Sequence, residues 1–421
     1  MRQPVAGMET VSTQCCIAGG GPAGMMLGLL LARAGVRVLV LEKHADFLRD
    51  FRGDTIHPST LAVIDELGWL DEFLSLPHQE IPEVTLLFGD TEISLADFRH
   101  LPTRCGFIAF MPQWDFLEFL SAHAAAYPTF ALRMSAEVTG LVEFGGEIRG
   151  VRARTADGEL EVAAELTVAA DGRGSILRAQ SGLRVCELGA PMDVLWFRLE
   201  RTPGHADQPL GRFGAGEVLI MIDRGAYWQC GYVIAKGTQE SIRARGFDEF
   251  RRRVARFAPF LNDQLNALKG WDEVSLLTVR ANRLERWWRP GLLCIGDAAH
   301  AMSPVAGVGI NLAIQDAVAA ANLLAAPLAR SAVTLDHLRG VERRRMWPTI
   351  VTQRLQSLIQ DRVIAEALDE NARLTPPLAF RLLDRYPVLR RLPGRAIGLG
   401  IRPEHVRSLE AAQASISARD N

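Results

Sequence analysis

The sequence predicts an α/β (α+β) fold: a parallel sheet covered by helices, with a second, β-rich unit inserted into the chain that builds it. Three observations carry this expectation. The run "CCIA" (15–18) is wholly apolar, as a strand buried on both faces should be. A helix-like segment and a second apolar run follow at once, which is the order of a right-handed βαβ unit. Further on, "DVLWFRLE", "EVLIMID" and "YWQCGYVIA" crowd the stretch from Asp193 to Ala235 with β-branched and aromatic residues.

The elements can be justified in order. "PAGMMLGLLLARAG" reads as a helix, with Pro22 in its first turn and Gly35 ending it. "VRVLVLE" is the second strand. Residues 54–76 read as helical, with Pro58-Ser59 as the start. "EVTLLFGDTEISL" reads as a strand pair around Gly89-Asp90, and "QWDFLEFLSAHAAA" as an amphipathic helix. Strands then meet at turns at Gly145-Gly146 and Asp157-Gly158. "SIRARGFDEFRRRVARFAP" is expected as one helix, "GLLCIGDAAH" as a strand, and "GINLAIQDAVAAANLLAAPLA" as a long helix. The tail is helical at "VERRRMW" and turn-rich through "RYPVLRRLPGR". This order assigns residues 10–80, 100–182 and 280–365 to one discontinuous domain. Residues 81–99 and 183–279 form the β-rich insertion, and 366–421 a C-terminal tail.

Composition excludes several classes. The 421 residues carry 47 basic and 49 acidic side chains, so no strongly basic face is available for nucleic acid. Six scattered cysteines without a CxxC pair suit reduced thiols in the cytoplasm, not a disulfide framework or a zinc site. A transmembrane helix is not expected. The N-terminal segment lacks the apolar core of a signal peptide. The tail "PVLRRLPGRAIGLGIRP" is both basic and apolar, which suits peripheral contact with a membrane. A monomer or homodimer is expected.

Gly19-x-Gly21-x-x-Gly24 sits between the first strand and its helix. The first glycine makes the turn, the second admits a pyrophosphate, and the third lets helix pack on strand. Pro22 and Ala23 lie in the helix N-terminus, whose free N–H groups favour phosphate. Glu42 ends the second strand, eighteen residues beyond Gly24, where an acid accepts ribose hydroxyls and repels a 2′-phosphate. The ligand is therefore FAD or NAD. A second motif, "AADGRGSILR", contains Asp171. A third, "LLCIGDAAHAMSPVAGVGINLAIQDA", delivers Gly296 and Asp297 at a strand end, then Pro304, Gly307, Val308, Gly309, Ile310 and Asn311 ahead of a helix. Asp297 can accept hydrogen bonds from a polyol such as a ribityl chain. NAD has none, so the pair of sites selects FAD.

The ordered triple resembles the class A flavoprotein monooxygenases, the family of p-hydroxybenzoate hydroxylase, from about Thr13 to about Ala365. The resemblance implies a Rossmann-like FAD-binding domain with an inserted β-sheet substrate domain. It implies that Gly19, Gly21 and Gly24 hold the pyrophosphate and Glu42 the adenosine ribose. Arg52 would lie against the dinucleotide, Gln113 would reach its backbone, and Lys43 and Val138 would be further contacts. Asp171 would serve both FAD and nicotinamide use, Asp297 the ribityl chain, and Pro304 with the 307–311 loop the isoalloxazine. Ala306 departs from the family, many of whose members carry glycine there. NADH or NADPH would visit as reductant without a nucleotide domain of its own. Reduced flavin would add dioxygen at C4a, and the hydroperoxide would oxygenate an electron-rich aromatic ring. His57 is the candidate base, with Trp196, Met221, Trp228, Tyr232 and Pro304 as candidate substrate contacts. His300 is expected to pack near the cofactor. Same-fold alternatives are a flavin reductase, a halogenase or a non-catalytic FAD-binding protein. The halogenase motif Trp-x-Trp-x-Ile-Pro is absent, and so is the G-x-S-x-G elbow of a serine hydrolase.

Overall fold

Strand Met8–Ala18 is the spine of the first sheet. In the computed structural model, which describes residues 8–48, 55–201, 210–369 and 375–411, it lies between two parallel neighbours. Cys15 faces Leu166 of strand Gly158–Ala169 on one side and Val38 of strand Val38–Leu41 on the other. Phe130–Arg133 and Leu292–Cys294 extend the parallel order outward. Cys15, Cys16, Ile17 and Ala18 have no exposed surface, which is why this strand shows no polar alternation. Helices Pro22–Arg33, Gln113–Ala125 and Gly309–Ala329 pack beside one another on the sheet. Strand Gly158–Ala169 also pairs antiparallel with Glu147–Thr155, which pairs with Glu137–Phe144.

The second sheet has seven strands in the order 275–277, 192–200, 227–235, 217–223, 211–214, 83–88, 91–97. All neighbours are antiparallel except 211–214 and 83–88. A three-stranded sheet of 185–187, 282–284 and 300–301 lies where the chain leaves and re-enters the first sheet's segments. Another joins 55–56, 108–110 and 79–81.

Strand alternation gives the second sheet two faces. On the back, Leu195, Phe197, Met221, Trp228 and Tyr232 form a core with Phe250 and Val254 of helix Phe247–Phe257. On the front, Val194, Phe213, Val218 and Val233 form a separate cluster, with Trp196 and Ile220 partly buried against it.

Three segments differ from expectation. The helix expected over 241–259 is broken at Gly246 (φ 94°) into Gln239–Ala244 and Phe247–Phe257. The 54–76 region divides at Gly68 into Pro58–Glu66 and Leu70–Leu74. The turn-rich tail holds helices Leu378–Arg385 and Arg391–Gly398, because their apolar residues fall at helical spacing. The tail packs across the molecule: a Cβ on Gly394 would meet the Asp97 carbonyl at 2.2 Å, and Arg33 donates to the Ser408 carbonyl. Leu378, Leu382, Val388 and Leu392 remain exposed on its outer side. The segment Val305–Ala329 is long and apolar enough to cross a membrane by composition, but most of it lies in the core.

Candidate active site

The carboxyl ends of the parallel strands bring all three motifs together, where ligands of open α/β sheets bind. Gly19 turns the chain at φ 105°, and a Cβ there would meet the Ala170 carbonyl oxygen at 2.3 Å. A Cβ on Gly24 would meet the Gly19 oxygen at 1.9 Å. Both glycines are thus required by the protein's own packing. Gly21 is different: nothing lies within 4 Å of its Cβ position, so its backbone faces open space at the start of helix Pro22–Arg33. Ala23 packs toward Gly296, whose Cβ would lie 3.0 Å from the Ala23 methyl.

Glu42 sits over the glycine turn at the end of strand Val38–Leu41. Its Oε2 accepts from Gly20 N at 2.8 Å, and its Oε1 accepts from His44 N at 3.1 Å and lies 2.5 Å from His44 Nδ1. This acid therefore fixes the turn while standing where a ribose would reach it. Lys43 beside it is exposed. Gln113 is the first residue of its helix and half-buried, and Val138 is buried in the first core. Arg52 lies outside the described residues.

The second and third motifs meet through one arginine. Arg173 Nε is 3.0 Å from Asp297 Oδ2, and Arg178 donates to the carbonyls of Ala298 and Arg173. Asp171 Oδ2 accepts from Ile176 N at 2.9 Å, while its Oδ1 is buried without a partner. Burial raises the Asp171 carboxyl above the ordinary range, against the downward pull of hydrogen bonds from Ser175 and the 176–177 backbone. Arg173 and Arg178 were not singled out in the sequence, although both lie in the motif that contains Asp171.

Pro304 opens the flavin loop. Ala306 takes φ 63°, a left-handed conformation unusual for a residue with a side chain, followed by Gly307 at φ 62°. A Cβ on Gly307 would meet Thr55 Oγ1 at 2.6 Å, and that hydroxyl donates to the Gly307 carbonyl at 3.0 Å. Val308 and Ile310 are buried, and Gly309 is open where a Cβ would stand. Asn311 Oδ1 accepts from His57 N and Thr60 Oγ1, while its buried Nδ2 has no partner. The open positions at Gly21 and Gly309 and the unpaired polar atoms of Asp171 and Asn311 fit a bound dinucleotide.

Two expectations need correction. His57 has no exposed surface: it begins helix Pro58–Glu66, and its Nδ1 lies 2.9 Å from the Ile397 carbonyl. Burial lowers its pKa to about 4, despite that carbonyl bond, so the ring is neutral. A ring this enclosed cannot touch a substrate, and the geometry makes it an anchor between the helix and the tail. Met221, Trp228 and Tyr232 lie on the back of the second sheet, under helices, because of the strand's alternation. Trp196 lies on the front, and Ile220, which the sequence reading missed, shares that face. Val305 of the flavin loop packs on the same cluster as Trp196 and Ile220. His300 is buried just ahead of the loop that Pro304 opens and is held by Asp316.

Comparison with known proteins shows the family. Residues 12–354 match the FAD binding domain family. The chain is 34% identical over 412 residues to 6-methylpretetramide 4-monooxygenase of Streptomyces rimosus, covering 97% of this chain and 96% of that one. It is 29% identical over 320 residues to rifampicin monooxygenase of Streptomyces venezuelae, of which it spans 61%. Among solved structures, an anhydrotetracycline hydroxylase from Streptomyces rimosus superposes with a TM-score of 0.73 at 25% identity, over 93% of this chain and 77% of that one. The chain belongs to the class A FAD-dependent monooxygenases. It is a flavoprotein oxidoreductase, and FAD is its cofactor.

Proposed function

We propose that this protein hydroxylates a fused-ring phenolic polyketide, with NADH or NADPH as reductant and dioxygen as the oxygen source. One observation carries the reading: the flavin loop, through Val305, packs on the same apolar cluster as the front face of the second sheet. That arrangement suits a flat, apolar ring system held between Trp196, Ile220 and Pro304. The near full-length match to an enzyme named for 6-methylpretetramide supports the choice of a polycyclic aromatic.

The residues divide the work. Gly21 and the first turn of helix Pro22–Arg33 would hold the pyrophosphate, and Glu42 the ribose. Asp297, oriented by Arg173, would hold the ribityl chain. FAD held there would, once reduced, supply the redox chemistry by which dioxygen gives one oxygen atom to the ring and the other to water. The second sheet and the flavin loop orient the substrate and exclude water from it.

The test is direct. The purified FAD-loaded protein is mixed with NADH or NADPH and a panel of monocyclic and fused-ring phenols. The expected result is reductant oxidation stimulated by fused-ring phenols, with a product heavier by one oxygen atom. Stimulation by monocyclic phenols alone would overturn the substrate class.

A further inference from the structure

Helix Leu335–Ile359 and the turn that follows it carry three glutamines, Gln353, Gln356 and Gln360, at spacings of three and four, so they share a face. All three are buried. Each aims its amide nitrogen at the flavin loop or the strand that leads into it. Gln353 Nε2 donates to the carbonyls of Asn282 (2.9 Å) and Ala301 (3.3 Å). Gln356 Nε2 donates to those of Ser303 (2.9 Å) and Val305 (2.8 Å). Gln360 Nε2 reaches Ser303 Oγ at 2.5 Å, and that hydroxyl accepts from Val305 N at 3.3 Å. Gln356 thus ties the carbonyls on both sides of Pro304.

Two further features point the same way. The helix changes to a π turn over Gln360–Ile364, starting at the third glutamine, and such turns recur at functional sites. The loop they hold is strained at Ala306. A strained loop persists only where its surroundings over-determine it. Among the described residues, no other side chain donates to the carbonyls of Ser303 and Val305.

We propose that Gln353, Gln356 and Gln360 are positioning residues of the active site. They form a ladder of amide donors that sets the path of residues 301–305. Through that path they set how Pro304 and Val305 meet the substrate and how Gly309 meets the cofactor. The proposal rests on the reading of this loop as the meeting point of flavin and substrate.

The test uses the FAD-loaded protein with Gln356→Met, which keeps length and burial but removes the donor. Arg354→Met, exposed on the same helix, is the control. Hydrogen exchange of residues 303–309 is expected to rise about tenfold or more in Gln356→Met, which loses both buried hydrogen bonds to the loop. The visible circular dichroism of the bound flavin should change. A larger share of consumed reductant should end as hydrogen peroxide and not as product. The control should alter none of these. Should Gln356→Met fail to fold, Ser303→Ala removes the hydroxyl that accepts from Gln360 and from Val305 N while leaving Gln356 in place, and should show the same changes at smaller amplitude. Unchanged exchange and unchanged flavin dichroism in these variants would overturn the proposal. If the wild type oxygenates no fused-ring phenol, the substrate reading fails, while exchange and dichroism still judge the ladder.

Discussion

His300 Nε2 lies 2.5 Å from Asp316 Oδ2, and both side chains are almost wholly enclosed, at 1% and 0% exposed. The same carboxylate accepts from Gly296 N at 3.1 Å and, through Oδ1, from Arg345 Nε at 2.9 Å. Arg345 continues to Glu404, which also pairs with Arg344. A buried chain of charge therefore runs from the loop that carries Asp297 to the tail. Burial pushes the Asp316 carboxyl up, but His300 and Arg345 outweigh it and hold it below the ordinary range.

Replacing Asp316 with Asn should leave Arg345 as a poorly compensated buried cation. We expect a loss of about 3–5 kcal/mol, read from urea unfolding, because breaking one partner of a buried pair strands the other. A loss below about 1 kcal/mol would mean that the network is not the anchor its geometry indicates.

His57 sets a pH dependence. The unfolded chain takes up a proton on this histidine as pH falls through about 6.5, the folded protein only near 4. Its stabilising contribution is complete above the first value and is lost on the way down to the second. The full difference is about 3 kcal/mol. His57→Gln should flatten the fall in urea midpoint between these pH values. An equally steep profile in the variant would assign the fall to other groups.

The glycine motif allows a contrast between fold and cofactor. Gly21→Ala meets no protein atom within 4 Å, so stability of the FAD-free protein should change by less than about 0.5 kcal/mol. FAD affinity, titrated by flavin fluorescence, should weaken by about tenfold or more, because the methyl stands where the pyrophosphate approaches. Gly24→Ala collides with the Gly19 carbonyl and should lower stability as well. Equal FAD affinity in Gly21→Ala and wild type would contradict the assignment.

The two tryptophans of the second sheet should separate. Trp228→Ala removes a buried ring from the back core and should cost about 3–5 kcal/mol of stability. The fraction that folds should turn over normally. Trp196→Ala, on the front, should instead raise KM for the aromatic substrate. Thermal unfolding and steady-state kinetics on both variants decide this. A KM effect confined to Trp228→Ala would reverse the two faces.

Much of the fold was legible because it is local. The Gly19–Gly24 turn, its helix and Glu42 lie within one βαβ unit, and the strand pairs around Gly89 and Gly145 are hairpins. The two faces of the second sheet were not legible. In "DVLWFRLE" both the Val194–Trp196 row and the Leu195–Phe197 row are apolar, so alternation alone does not say which row faces the cofactor. His57 looked accessible because nothing near it in sequence announces that the Ile397 carbonyl, 340 residues away, covers its ring. The glutamine ladder and the Asp316 network join side chains by contacts far apart in the chain, with no motif to mark them. Arg178 and Arg173 were within reach, since a basic residue inside a motif that also holds a conspicuous acid invites the question of what it pairs with.

The tail's Glu404 has a consequence for biosynthesis. Strand Met8–Ala18 must wait for Gly158–Ala169 and the sheet's outer neighbour Leu292–Cys294 before its surroundings are complete. The charge network behind Asp297 waits longer still, until Glu404 has left the ribosome and reached Arg345. Domains generally fold as units during synthesis. Here all three motif segments are translated before their last supporting carboxylate exists. Stable loading of the cofactor therefore follows the synthesis of Glu404, and a chain stopped before that residue would carry every sequence signature of the site without the means to keep it in shape.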